Sequence, residues 1–133
     1  MIRFIHLIRR KPELSKLEFR HLWNSHEFDE LLVRAASMLG AVRGEKSLVL
    51  DISINKEMGE ERGVEEEPYD ALVEFWALDA RGLEAALESE EYQQLSREME
   101  ALQAGFIDFR HSQRFFVDCN PPLLGEGADE AGP

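Results

Sequence analysis

Among the residues able to do chemistry, His26 stands out first. It follows Phe19 by seven positions and Trp23 by three, a spacing that gathers side chains on one face of a helix. An imidazole on such a face, with an ordinary pKa of about 6.5, suits a general acid or base at neutral pH. The blander alternative is a buried histidine bonded to a carbonyl or carboxylate for structural reasons. His6 alternates with Phe4 and Ile8 in a strand-like run. It either shares a pocket with His26 or lies on an interface, depending on which strand face looks inward. Glu74 sits between Leu72 and Trp76 on one face of another strand-like run. It can orient His26, act as a base itself, or pair with Arg3 or Arg9 on the adjacent strand. The aromatic residues Trp23, Trp76, Phe106 and Phe19, with Phe75 and Tyr92, either fill the core or wall a cavity. Their character suits a small hydrophobic or aromatic ligand.

Metal and cofactor signals are missing from the sequence. His26 and Glu30 stand four apart and supply two ligands without a third, so no metal is expected. There is no glycine-rich phosphate loop and no paired-cysteine motif, so no cofactor is expected either. Cys119 has no neighbouring histidine and no helix start to activate it. His21 is expected in solvent, and His111 as a structural residue at the start of the last strand.

The elements that must position these residues follow from periodicity. A first strand spans Ile2 to Arg9 and is apolar on both faces, as a central strand covered on both sides would be. Ser15-Lys16-Leu17-Glu18 reads as a capping box opening a helix that runs to Leu39, with Gly40 as its stop. Its expected buried stripe is Phe19, Leu22, Trp23, His26 and Val33. Alternation predicts a second strand over Lys46 to Asn55. The acidic stretch 56–68 reads as a solvated, mobile loop, and Tyr69 to Leu78 as the third strand. Asp79 is expected to cap a helix from Ala80 to Ala104 that breaks at Ser89, where the serine caps a second segment beginning Glu90-Glu91. Arg110 to Asp118 is the fourth strand. Residues 1–119 thus form one domain, and 120–133 an irregular tail.

This order, β-α-β-β-α-β, predicts an α+β, ferredoxin-like fold: a four-stranded antiparallel sheet with two helices on one face. The other sheet face carries apolar residues of the first strand and is left bare, which calls for a partner. A second copy of the chain related by a two-fold axis is the simplest one, so a homodimer packed sheet to sheet is expected. Composition agrees with a soluble domain: 44% hydrophobic and 32% charged residues, and a net charge of −12 from 15 basic and 27 acidic side chains. That charge opposes binding to nucleic acid or to an anionic membrane surface. The strand-like N-terminus leaves no room for a signal peptide, and a lone cysteine fits a reducing cytoplasm.

The residues also carry a family resemblance. Leu7-Ile8-Arg9-Arg10-Lys11-Pro12, Leu14-Ser15 and Phe19-Arg20-His21-Leu22-Trp23-Asn24-Ser25-His26 resemble the opening of EthD-like proteins. Tyr69-Asp70-Ala71-Leu72-Val73-Glu74-Phe75-Trp76 and Phe106-Ile107-Asp108 continue the match in the same order, over residues 2 to 118. The chain departs from the family pattern at Leu22, where Tyr is frequent, and at Glu27-Phe28, where Ala-Pro is frequent. Leu102-Gln103 stands where many members carry an Asp-Glu pair. The resemblance implies a dimeric α/β barrel built from two sheets packed face to face. Activities on related barrels range from cofactor-free monooxygenation and isomerisation to haem degradation and ligand binding, so the fold selects no reaction.

Two functional readings follow. In the first, the chain is a small cofactor-independent enzyme, of oxidoreductase or isomerase/lyase type, with His26 moving a proton on an apolar carbonyl or lactone compound. In the second, it is a non-enzymatic homodimer that binds a small hydrophobic ligand in an oxidative catabolic pathway. A roomy cavity in which Glu74 or His6 converges favours the enzyme, whereas a filled core favours the binding protein.

Overall fold

In the computed structural model, which describes residues 1–128, β1 (Ile2–Ile8) runs through the middle of a four-stranded antiparallel sheet. It is flanked by β3 (Ala71–Ala77) and β4 (Gln113–Asp118), and β2 (Ala41–Leu48) lies outside β3, giving the order β2-β3-β1-β4. A strand with neighbours on both edges and cover on a face buries more of its length than an edge strand, which accounts for the apolar residues on both sides of β1. The helices are α1 (Lys16–Trp23), α2 (His26–Met38), α3 (Ser53–Glu60), α4 (Leu83–Glu88) and α5 (Glu90–Gln103), followed by a 3₁₀ turn at Phe109–His111. The observed topology is the expected ferredoxin-like split βαβ arrangement, with α3 inserted between β2 and β3.

Strand register settles which residues share a face. Phe4 pairs with Phe75 and Phe116, and His6 with Val73 and Arg114, on the side covered by helices. Arg3, Ile5 and Leu7 pair with Trp76, Glu74 and Leu72 on the opposite side. The core forms between the sheet and the helices from Ile8, Phe19, Trp23, Phe28, Leu31, Leu32, Ala71, Val73, Phe75, Leu95, Phe106 and Ile107. Phe19, Trp23, Phe28 and Phe106 stack there with ring centroids 5.3–5.8 Å apart. Gly44 on β2 lies under the Phe75 ring, where an added Cβ would come within 3.0 Å of the ring edge.

Several expected boundaries move. The long first helix is two helices: Asn24 closes α1, and the Ser25 side chain accepts from the Phe28 N–H to open α2. Lys46 holds the break, donating to the Trp23 carbonyl at 2.6 Å and pairing with Asp29 at 2.6 Å. The break resets the helical phase. Phe28, Leu31, Leu32 and Ala35 become the buried stripe of α2, whereas Leu22, His26 and Val33 are exposed. The second strand lies at Ala41–Leu48 rather than 46–55, because Gly40 (φ 69°) turns the chain straight out of α2 into the sheet. Ile52 and Ile54 are exposed, and the start of the expected acidic loop is helix α3, which buries none of its residues. The break at Ser89 stands where the sequence placed it, and Ser89 caps α5 through the Tyr92 N–H. Asp79 instead closes a turn onto the Arg81 N–H, and Gly82 takes the cap position of α4. The last strand begins at Gln113, after the 3₁₀ turn. Residues 120–128 carry no strand and no α-helix, and the rest of the expected tail lies outside the described residues.

Candidate functional site

Facing helices and sheet do not close completely. Between α2, α5 and the sheet lies a cavity of about 420 Å³. Its floor is Phe4, His6, Val73, Phe75 and Arg114, and α2 contributes Leu32, Ala35 and Leu39. From α5, Tyr92, Leu95, Ser96, Met99, Glu100 and Gln103 face it at intervals of one, three and four residues, a helical stripe. Ala35 and Ser96 are small where the neighbouring wall residues are large, which leaves space that close-packed interiors normally fill.

His6 is the polar centre of this floor. It is 6% exposed and sits between Phe4 and Ile8 on β1. Burial lowers its pKa from 6.5 to about 4, with the Arg114 guanidinium adding to the effect, and no hydrogen-bonding partner contributes. The imidazole is therefore neutral at pH 7 and available as a proton acceptor. Tyr92, half-buried on α5, has its phenol pushed up by burial and more weakly drawn down by Arg114, so it stays a hydrogen-bond donor. Gln103 is a buried polar residue of the wall, at the position where the family resemblance leads to an acidic side chain. Ser112 also borders the cavity, but its hydroxyl is occupied, accepting from the Arg9 N–H and donating to the Asp108 carbonyl.

The other expected site residues lie elsewhere. His26 is the first residue of α2, with its side chain 88% exposed and Nε2 3.1 Å from Glu30. The expectation that it points at the sheet fails because the helix breaks at Asn24-Ser25. Glu74 faces the opposite side of the sheet and pairs with Arg3 at 3.5 Å, so it neither orients His26 nor joins His6. Trp76 lies on that same outer face beneath the guanidinium groups of Arg3 and Arg43, at 5.6 and 4.7 Å from its ring centre. Trp23, Phe19 and Phe106 belong to the filled aromatic core and do not line the cavity beside His6. His111 is exposed, with Nδ1 2.8 Å from an Asp108 oxygen. Of the expected catalytic residues the structure brings only His6 into the cavity. Arg114, Ser96, Glu100 and Gln103 are added by the α5 stripe and by the pairing of β1 with β4, and the α5 stripe alone was readable from spacing.

A wider depression of about 730 Å³ lies at the end of the sheet around Arg9, Arg10, Lys16 and residues 48–56. Its charges are largely matched in pairs: Lys16 with Asp51 at 2.6 Å, Arg10 with Asp70 at 3.4 Å, Lys56 with Glu67 at 3.1 Å. Among the described residues there is no cluster of three or more metal-ligating side chains and no helix long and apolar enough to cross a membrane.

No curated protein matches the chain. Among solved structures, a dimeric protein of unknown function and ferredoxin-like fold from Bacteroides fragilis is similar, with TM-score 0.54 and 9% identity over 89% of this chain and 95% of that one. An ethyl tert-butyl ether D (EthD) family protein from Bacillus halodurans is similar with TM-score 0.52 and 14% identity, over 89% of this chain and 97% of that one. At these identities the likeness establishes the fold. The sequence itself matches the EthD domain model over residues 11–110, from the Lys11-Pro12 turn through α5 to the 3₁₀ turn, and the chain belongs to the EthD domain family.

Proposed function

We propose that the chain is a small cofactor-independent enzyme that admits an apolar, aromatic compound to the cavity between α2, α5 and the sheet and uses His6 to move a proton on it. The observation that carries this reading is a buried, neutral imidazole opening into a cavity where aromatic and aliphatic walls meet a few polar side chains. His6 takes the proton from a carbon next to a carbonyl, leaving an imidazolium and an enolate, and returns it to the same or a neighbouring carbon. Tyr92 is the hydrogen-bond donor available to the oxygen on which charge develops. The protonated imidazole and the enolate form as a pair, so no net charge is created inside the cavity.

The working unit in this proposal is a homodimer. The outer sheet face presents Ile5, Leu7, Leu72 and Phe115, with the charged pairs Arg3–Glu74 and Arg43–Glu45 toward one end. An apolar sheet face of this extent is satisfied by a self-complementary copy, and the similar B. fragilis protein is dimeric. The cavities then lie on the outer sides of the paired sheets, one per protomer.

Deuterium wash-in tests the chemistry without a known substrate. Aryl ketones and aryl lactones that perturb the His6 NMR signal are incubated with the protein in D₂O. The wild type should speed exchange of their α-hydrogens, and His6→Gln should lose about 10²–10⁴-fold of that rate while still binding them. Bound compounds that exchange no faster with the wild type than with His6→Gln would leave a ligand-binding protein as the better reading.

A further inference from the structure

Resting on the reading of the cavity as a substrate site, we propose that Arg114 anchors an anionic group of the substrate, so that the natural ligand is an aromatic or apolar carboxylate whose charged end docks beside His6. Arg114 and His6 are direct partners on β4 and β1, so both side chains leave the sheet toward the same cavity. Most of the arginines near the sheet are neutralised, Arg3 by Glu74, Arg9 by Glu66, Arg10 by Asp70 and Arg43 by Glu45. Arg114 makes no ion pair among the described residues, although the chain carries 27 acidic side chains. An exposed guanidinium left unpaired at the mouth of a cavity of mixed polar and apolar lining, in a protein of net charge −12, is a ready receptor for a carboxylate, which it can bind through two parallel hydrogen bonds.

The charged and titratable groups facing His6 are few. Arg114 comes from β4, Tyr92 and Glu100 from α5, while α2 and β3 offer only Leu32, Ala35, Leu39, Val73 and Phe75. Glu100 lies on an exposed turn of α5 and makes no ion pair with Arg114. A carboxylate seated on Arg114 therefore changes the field at His6 more than any group already present. It cancels the positive charge that disfavours the imidazolium and brings a negative charge that favours it. Substrate docking thus strengthens the base next to the bond it must break, whereas a neutral compound of the same shape leaves the base weak.

The test uses 2-naphthoate and its neutral analogue 2-naphthylmethanol as probes, with the wild type, Arg114→Gln and His6→Gln. Binding is followed by NMR of the cavity methyl groups of Leu95 and Val73, and His6 is titrated free and bound. Naphthoate should bind the wild type at least about tenfold more tightly than Arg114→Gln does, with naphthylmethanol within about twofold in both proteins. The His6 midpoint should rise with naphthoate and stay put with the alcohol. Equal affinities for acid and alcohol, or naphthoate binding that ignores Arg114→Gln, would overturn the anion site and leave the cavity reading standing. Absence of both probes from the cavity would overturn both. Naphthoate captured through Arg114 while His6→Gln keeps full exchange activity toward bound aryl ketones would retain the anion site and remove His6 as the base.

Discussion

Replacing His6 with glutamine should flatten the acid limb of the stability curve. The folded protein holds this imidazole at a pKa of about 4 against 6.5 for an unhindered histidine, mainly because its charged form would be desolvated. A histidine depressed in the folded state contributes stability that is complete above the unfolded value of 6.5. That contribution is lost as pH falls toward the folded value of about 4, since the unfolded chain binds the proton first. At about 1.4 kcal/mol per pH unit, the full loss across that window is about 3 kcal/mol. Glutamine cannot titrate, so the difference between the two proteins isolates this group from carboxylates such as Glu18 and Asp51, whose lowered pKa values also make acid destabilising. Urea unfolding at several values between about pH 7.5 and pH 4 measures it. The wild type should lose about 3 kcal/mol more than His6→Gln between the ends of the series, and nearly all of that difference should appear below about pH 6.5. Curves that stay parallel within about 0.5 kcal/mol would mean that water or an open mouth solvates the imidazolium, and the neutral-base argument would fail with them.

His26→Ala should change stability by less than about 0.5 kcal/mol and leave any His6-dependent exchange intact, because its side chain lies in solvent and meets only Glu30; thermal melts and the wash-in assay check both halves. Ser25→Ala should cost about 1 kcal/mol in chemical unfolding, the loss of the side-chain bond that opens α2 at the Phe28 N–H. Ala35→Leu should fill part of the 420 Å³ cavity, abolishing probe uptake with little change in melting temperature, whereas a loss of about 2 kcal/mol or more would indicate a wall already tightly packed. Leu7→Asp, on the bare sheet face beside Leu72, should yield monomers by light scattering; a variant that keeps the dimer mass would move the interface elsewhere.

The topology was readable because the signals that set it are local. The double-sided apolar pattern of β1, the capping box at Ser15 and the serine break at Ser89 each act within a few residues, and each element stands near its expected place. The errors arise where a distant residue decides. Trp23 and His26 are three apart, so an unbroken helix puts His26 on the buried face. Ser25 could equally sit inside a helix or begin a new one, and the decision rests with Lys46, more than twenty positions away, which satisfies the last carbonyl of α1 and pairs with Asp29 in the first turn of α2. The same blindness displaced β2, since Leu48, Leu50, Ile52 and Ile54 alternate as well as any strand while the true edge strand carries Arg43, Glu45 and Lys46.

The candidate site depends on a choice of parity. Along β1, the two sets Phe4-His6-Ile8 and Arg3-Ile5-Leu7 are both apolar enough to be buried, and a one-residue slip would send His6 to the outer face and Leu7 inside. The helices decide it. Phe4, Val73 and Phe75 meet the apolar stripes of α2 and α5, whereas Arg3 finds its carboxylate on the far side in Glu74. Once that parity is set, the antiparallel pairing of β1 with β4 brings Arg114 beside His6 and leaves Glu74 behind the sheet. A base that stays neutral and a cation that pairs with no described carboxylate then face one cavity, and both positions follow from register rather than from any motif.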